Sequence, residues 1–198
     1  MEIDLLSLSA HKIHGPKGVG ALYVKSGIKF EPITYGGNQE RNMRSGTENV
    51  PGIAGLGKAV ELATKNYIIT NRKLKIIRDY FLEKLAEKVE FYQINGHQYQ
   101  KSNAIVNISF YGIEGEALLM LLDLAGICVS TGSACTSKSL LPSHVLEAMQ
   151  IPSDIAQGSI RFSFGTNISK ADVDYVVDEL AKAVAKLRAI SPIQAGRI

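Results

Sequence analysis

The stretch SAHKIHGPKGVGALYVK, residues 9–25, joins two short apolar segments and carries the adjacent side chains of His11 and Lys12. The flanking segments, residues 3–9 and 19–25, predict two β-strands, and the glycine-rich GPKGVG between them predicts a tight turn. We expect the first strand to end at the His11–Lys12 pair. Because an isolated pair of strands is marginal in water, this stretch predicts part of a larger sheet whose other strands lie elsewhere.

The rest of the chain alternates helical and extended patterns. A loop is predicted over residues 34–49. A helix is predicted to start near Asn49, although three glycines weaken that prediction. The apolar spacing predicts a second, more clearly amphipathic helix over residues 70–88. The other predicted elements are strands at 104–110, 127–130 and 159–164, helices at 114–124 and after Pro142, and a last helix capped by Ser169 with Asp172. These patterns predict an α/β chain with residues 1–50 as a remnant of a larger domain and residues 51–198 as a small α+β domain.

Composition narrows the class of protein. The net charge of +3 is spread over amphipathic segments, which argues against nucleic acid as a partner. No run of about 18 apolar residues predicts a membrane span. The first residues are acidic rather than basic, unlike a secretory signal, and two cysteines do not form a disulfide framework. We therefore expect a cytoplasmic protein without a membrane partner.

Lys12 is the first candidate for chemistry. A lysine amine is a nucleophile only when neutral, and burial or a cationic neighbour favours that form. Ser9 and His11 alternate with Ala10, so we expect both on one side of the strand, where they can donate to an anion. An amine beside anion donors suits an aldehyde cofactor that carries a phosphate, whereas an exposed lysine at a strand end is the plain alternative.

Two further segments carry reactive groups or anion donors. In STGSACTSKS, residues 130–139, Cys135 is surrounded by small and hydroxylated residues, typical of a wet loop in which a thiol is either reactive or inert. Cys128 in GICV is interpreted as a structural, buried cysteine. The seven-residue offset between the two cysteines is no metal-ligand spacing, and the HxxH pair of His11 and His14 has no further ligand, so no metal site is predicted.

Arginines provide the remaining candidates. Arg161 alternates with apolar residues in SIRFSFG, so its planar guanidinium either points outward or binds a buried anion such as a carboxylate. In RNMRSGTEN, residues 41–49, Arg41, Arg44 and Thr47 offer anion donors, and a solvated loop is the alternative.

Taken together, four segments resemble the NifS/IscS-type cysteine desulfurases, which are pyridoxal-phosphate enzymes of the class V aminotransferase-like fold type I. The segments occur in the family's order and spread over nearly the whole chain. They are LSLSAHKIHGPKGVGALYV (6–24), GGNQERNMRSGTENV (36–50), STGSACTSKSLLPSHVL (130–146) and SIRFSFGTNIS (159–169). The resemblance implies that the chain is the C-terminal part of the fold type I architecture.

On the cofactor side, the resemblance implies that Lys12 holds pyridoxal 5'-phosphate covalently and that Ser9 and His11 contact its phosphate. Thr47 is similar to the family threonine that reaches the phosphate in the partner subunit of a homodimer. Asn42 and Asn38 stand where the family often has glycine, which affects only the local geometry of the loop.

On the substrate side, the resemblance implies that Arg161 binds the carboxylate of L-cysteine and that Cys135 is the nucleophile. Cys135 would take the sulfur as a persulfide, leaving L-alanine, and pass it to an acceptor such as an iron–sulfur scaffold protein.

Family members also carry a long region before the lysine, which this sequence does not contain. We therefore expect the activity to need an N-terminal half or a separate complementing chain, and the cofactor to be held poorly or not at all by these residues alone. The alternatives are a catalytically incomplete module for dimerisation or partner binding, and a related enzyme similar to selenocysteine lyase or acting on cysteine sulfinate.

Overall fold

The structure is a computed structural model that describes residues 2–131 and 143–192, and over those ranges it contains five strands and five helices. The strands are β1 (Leu5–Ser9), β2 (Gly20–Val24), β3 (Tyr92–Asn95), β4 (Ile105–Phe110) and β5 (Ser159–Ser163). The helices are α1 (Val50–Lys88), α2 (Gly115–Leu124), α3 (His144–Ala148), α4 (Ser153–Gln157) and α5 (Lys170–Ile190). The predicted mixed α/β class is confirmed.

The chain forms two compact units, residues 1–68 and residues 69–198. Helix α1 begins in the first unit and ends in the second. The predicted division at residue 50 concerns the domains of a longer enzyme and stays a prediction. No helix in residues 2–131 and 143–192 is long and apolar enough to cross a bilayer.

Unit one opens with the two predicted strands. β1 pairs with β2 in antiparallel register along its whole length. Successive side chains of a strand point to opposite faces of the sheet. Neighbouring apolar side chains on both strands are nevertheless about half exposed: Leu5 49%, Leu6 47%, Leu22 51% and Tyr23 53%. Unit one therefore leaves apolar surface on both faces of its hairpin, as expected for a fragment of a larger sheet.

Helix α1 begins at the predicted position. The Gly52 N–H donates to Oδ1 of Asn49 at 3.2 Å, which satisfies one of the free donors of the first turn. The two separately predicted helices are one continuous helix, so the predicted break between them is wrong. Gly55 explains why glycine is tolerated here, because a Cβ at that position would lie 2.5 Å from Cγ of Pro16. The glycine lets the lysine-bearing turn and the helix approach closely.

This contact leads to a paired prediction on one helix. Gly55→Ala should destabilise unit one by about 1–3 kcal/mol, because the rigid Pro16 ring leaves no room for the added methyl group. Gly57→Ala should instead stabilise it by up to about 1 kcal/mol, because no atom lies within 4 Å of the added Cβ and alanine has the higher helix propensity. Urea unfolding and amide exchange at residues 15–20 measure both. Equal effects of the two variants would contradict the close contact.

Unit two is built on a three-stranded antiparallel sheet in the order β3-β4-β5. The strands predicted at 104–110 and 159–164 are confirmed, and β3 was not predicted. The strand predicted at 127–130 is wrong, because only Ser130 bridges the sheet, opposite Arg161. Core side chains come from the second half of α1 and from β4, β5, α2 and α5: Phe81, Leu85, Ile108, Phe110, Leu118, Leu122, Ile160, Val177 and Leu180.

The last helix confirms its predicted start. Ser169 Oγ accepts from the Asp172 N–H at 3.2 Å, and the Asp172 carboxylate accepts from the Ser169 N–H at 2.8 Å. This reciprocal capping box satisfies two free donors. The Ser169 hydroxyl also donates to the Asp172 carboxylate at 2.7 Å. This bond, together with the bond from the Ser169 N–H, holds the pKa of Asp172 below its ordinary value.

Candidate active site

Lys12 lies on a single turn of 3-10 helix, Ala10–Ile13, that follows β1. The Ala10 N–H donates to the Val19 carbonyl at 3.0 Å, and the Gly15 N–H donates to the Ala10 carbonyl at 2.8 Å. The bond to Val19 is in register with the β1–β2 pairing, whereas the Ala10 carbonyl is taken by the turn. The strand therefore ends at Ser9, and the prediction that His11 continues it is wrong. The backbone of the turn is fixed at the fully buried Ala10, whereas the Lys12 side chain is exposed.

An open concavity of about 360 Å³ lies beside this turn in unit one. It is lined by Ser7, Leu8, Ser9, Lys12 and Ile13. Within the described residues, the Lys12 amine has no ion-pair partner. The exposed His11 belongs to the same turn but not to the lining. A free amine beside serine hydroxyls fits a cofactor that carries both a carbonyl group, for the amine, and a phosphate, for the hydroxyls.

Thr47 lies in the same unit, within the loop predicted at 34–49. The loop is fixed by two bonds, from Ser45 Oγ to the Thr34 carbonyl at 3.2 Å and from the Gly46 N–H to Gln39 Oε1 at 3.0 Å. Asn42 has φ 66°, a left-handed conformation that asparagine tolerates better than most residues. Thr47 itself is exposed, and no hydrogen bond joins it to Lys12 in the described chain. Thr47 is also not among the residues that line the concavity beside Lys12.

Arg161 lies on β5 in unit two and is partly buried. Its backbone exchanges two hydrogen bonds with Ser130, at 2.7 and 3.2 Å, and its Nη2 donates to Ser130 Oγ at 3.3 Å. Its Nε is buried and has no hydrogen-bond partner in the described chain. No carboxylate of the described residues forms an ion pair with this guanidinium. A buried donor on an unpaired cation is costly, so the site favours an anionic ligand.

The predictions for the two cysteines compare differently with the structure. Cys135 lies outside the described residues. Cys128 is exposed, so its interpretation as a buried structural cysteine is wrong. In this segment Ile127 is buried, whereas the next residue, Cys128, is exposed. In residues 2–131 and 143–192, no group of three or more His, Cys, Asp and Glu side chains is arranged to hold a metal ion.

Sequence reasoning missed the polar residues that surround Arg161 on its sheet face. They are Gln93 and Asn95 on β3 and Asn107 and Ser109 on β4. The signal was present in AIVNISF and YQIN, where polar residues recur at every second position of an apolar segment. Their alignment with Arg161 needed the strand register, which the sequence did not contain.

With these side chains described, comparison with known proteins identifies the class of protein. The family Aminotransferase class-V matches residues 1–176, and the chain belongs to this family. The predicted membership is thereby confirmed.

More specific relatives agree. The chain is 49% identical over 190 residues to "Cysteine desulfurase IscS" of Dictyoglomus turgidum, covering 96% of this chain and 48% of the relative. It is 51% identical over 193 residues to "Cysteine desulfurase IscS" of Methanosarcina thermophila, covering 98% of this chain and 48% of the relative. The chain therefore spans about half the length of the curated relatives that it matches.

Solved structures support the fold. A NifS-like protein superposes with a TM-score of 0.82 at 35% identity, over 94% of this chain and 47% of that one. The NifS-like protein from Rickettsia africae also gives a TM-score of 0.82, at 31% identity, over 91% of this chain and 47% of that one. The assignment to a part of the NifS-like, fold type I architecture is confirmed.

Proposed function

We propose that this chain supplies the lysine, the arginine and the nucleophilic cysteine of a cysteine desulfurase. The reaction converts L-cysteine to L-alanine and leaves the sulfur on Cys135 as a persulfide, so the Cβ–S bond breaks as the new S–S bond forms. The observation that carries the proposal is Arg161, an unpaired, partly buried guanidinium with an orphaned Nε. Its planar donors match an amino-acid carboxylate.

Lys12 and the concavity beside it support pyridoxal 5'-phosphate as the cofactor. When bound, the cofactor would supply the electron sink that weakens the Cβ–S bond. Lys12 would hold it and move protons, while Ser9 and His11 would donate to its phosphate. Thr47, exposed and distant in sequence from that turn, would serve the phosphate bound by the partner subunit of a homodimer.

The position of Arg161 also supports Cys135 as the sulfur acceptor. Ser130, bonded to Arg161, precedes Cys135 by five residues in the sequence. Five residues span at most about 18 Å, whatever their conformation. Cys135 is therefore tethered within about 18 Å of the residue bonded to Arg161, which supports its thiol as the acceptor of sulfur from a substrate held there. We propose an iron–sulfur scaffold protein as the next acceptor of that sulfur.

The activity should also depend on a part of the enzyme that this chain does not cover in its relatives. The exposed Lys12 amine needs further groups around it before burial can favour its neutral, nucleophilic form. We propose that an N-terminal half, or a separate complementing chain, provides these groups. Location in the cytoplasm stays a prediction from the low cysteine content.

A second candidate function is favoured by the exposed hairpin. Leu5, Leu6, Leu22 and Tyr23 would form a protein-binding surface on both faces of β1 and β2. On this alternative, the chain serves dimerisation or partner binding without cofactor chemistry. Measurement of turnover separates it from the desulfurase.

The test is formation of alanine and sulfide from L-cysteine, with pyridoxal phosphate and a thiol reductant. The assay should be run with the chain alone and again after addition of a polypeptide that corresponds to the half of the relatives not covered by this chain. No alanine in either mixture would reject the desulfurase and leave the binding module.

Within this assay, Arg161→Ala should raise KM for L-cysteine by at least about tenfold, because each charge-assisted hydrogen bond contributes about 1.5–3 kcal/mol. The matched control is Arg72→Ala, an exposed arginine on α1 for which KM should not change. An unchanged KM in Arg161→Ala would contradict its role in carboxylate binding.

A further inference from the structure

Three residues lie in a row across the sheet of unit two. Asn95 on β3 stands opposite Asn107 on β4, and Asn107 stands opposite Arg161 on β5. Directly opposed residues of neighbouring strands project from the same face. The row therefore places two amide side chains beside the guanidinium assigned above to the substrate carboxylate.

Asn107 is especially close to Arg161. Arg161 directs both its backbone N–H and its carbonyl to Ser130, on the far side of β5 from β4. Asn107 and Arg161 therefore form a non-hydrogen-bonded pair, in which Cα atoms lie about 4.5 Å apart and side chains approach most closely. The Asn107 side chain stands next to the arginine side chain.

A chain of hydrogen bonds fixes which end of the Asn107 amide remains available. Tyr111 OH donates to Gln93 Oε1 at 3.0 Å, and Gln93 Nε2 donates to Asn95 Oδ1 at 2.8 Å. Asn95 Nδ2 then donates to Asn107 Oδ1 at 2.6 Å and to Ser109 Oγ at 2.8 Å. Each amide accepts at its oxygen and donates from its nitrogen, so the same direction is kept from Tyr111 to Asn107.

The chain ends with a free donor. The oxygen of Asn107 is occupied by Asn95, and its Nδ2 makes no hydrogen bond to the described residues. Beside it, Arg161 presents an unpartnered Nε and has no ion-pair partner in residues 2–131 and 143–192. The two side chains thus offer donors from neighbouring positions. Donors without a competing acceptor fit a group with two anionic oxygens, and a carboxylate has that form.

We propose that Asn107, oriented by Tyr111, Gln93 and Asn95, is a second binding residue for the α-carboxylate that Arg161 holds. The proposal rests on the proposed function for the identity of the substrate. It adds a second donor for the carboxylate and explains the residue type, because an acceptor at position 107 would pair with Arg161 instead of the ligand.

The test measures binding without turnover. The side-chain Nε–H signal of Arg161, assigned by its loss in Arg161→Lys, is followed by NMR in the chain complemented by the N-terminal half and loaded with pyridoxal phosphate, during titration with L-alanine. L-Alaninamide, which lacks the carboxylate, is the ligand control. We expect a shift with L-alanine and none with the amide. No shift with L-alanine would overturn the proposal.

Asn107→Asp is the decisive variant. An aspartate still accepts from Asn95 Nδ2, so the sheet is retained, but its charge pairs with Arg161 and should weaken L-alanine binding at least tenfold. The matched control is Asn103→Asp, the same change beside Arg78, whose guanidinium already donates to Asn103. That variant should bind L-alanine like the wild type. Equal affinities in Asn107→Asp and Asn103→Asp would overturn the proposal.

Tyr111→Phe keeps the proposal testable if Asn107→Asp fails to fold. It removes the hydroxyl that donates to the first amide of the chain, Gln93, while leaving Asn107 and Arg161 in place. We expect a two- to fivefold loss of affinity with an unchanged amide spectrum elsewhere, and unchanged affinity would contradict the orienting role. If L-alanine binds as described but L-cysteine gives no alanine, the proposed function fails alone. If alanine forms and both variants bind normally, this inference fails alone.

Discussion

In the chain complemented by the N-terminal half proposed above, replacement of Lys12 by alanine should abolish retention of pyridoxal phosphate and lower the rate of alanine formation by at least about 10²–10⁴-fold. The rate loss is the range that a positioned acid–base group contributes, and loss of the covalent attachment adds to it. The turn that carries Lys12 is held by backbone bonds at Ala10, so the substitution should leave that turn intact. The measurements are cofactor content after gel filtration, from the visible absorption, and alanine formation from L-cysteine.

Lys17→Ala is the matched control for Lys12→Ala. Lys17 is also exposed and lies in the same glycine-rich segment, but it does not line the concavity beside Lys12. Its replacement should leave cofactor content and rate within twofold of the wild type. Equal loss of cofactor in both variants would show that general positive charge, rather than the Lys12 amine, retains the cofactor.

The sequence predicted those elements whose signals are local. The apolar stripe and capping pair of α5 lie within one continuous segment, and Ser169 and Asp172 form the expected capping box. The apolar segments of β1, β2, β4 and β5 were likewise long enough to predict. In each of these elements, the residues that stabilise it are neighbours in sequence. Hydrophobic periodicity and helix-capping preferences therefore predict it directly.

The errors arose where distant residues decide the local conformation. β1 ends at Ser9 because the Ala10 carbonyl accepts from the Gly15 N–H in a turn, and glycine is tolerated in α1 because Gly55 packs against Pro16. β3 was missed because a short polar segment such as YQIN becomes a strand only by pairing with β4.

The candidate site shows the same limit. Lys12, Arg161 and Cys135 were identified by residue type, segment composition and resemblance. Asn107 was not, since its importance depends on standing opposite Arg161 in the register of β4 and β5. Hydrogen bonds from Asn95 then decide which end of its amide is free. Neither fact has a signature within a single stretch of sequence.

Cys135→Ser should abolish transfer of sulfur from L-cysteine, with sulfide formation falling at least about 10²-fold. A hydroxyl at this position is not ionised near neutral pH and is a far weaker nucleophile than a thiolate, so the persulfide cannot form. Substrate binding should persist, since Arg161 and Asn107 are unchanged. The measurements are sulfide and alanine formation, together with a persulfide-specific label on the chain.

Cys128→Ser is the control for this substitution. Cys128 is the exposed cysteine seven residues earlier, so it tests whether any accessible thiol on this part of the chain can accept sulfur. Its replacement should change sulfide formation by less than twofold and leave the persulfide label on Cys135. Alanine formation at the wild-type rate in Cys135→Ser would contradict the nucleophile assignment. It would favour a lyase that releases the chalcogen without a protein thiol, as in the selenocysteine lyase-like alternative, and Arg161 would then bind the substrate of that reaction.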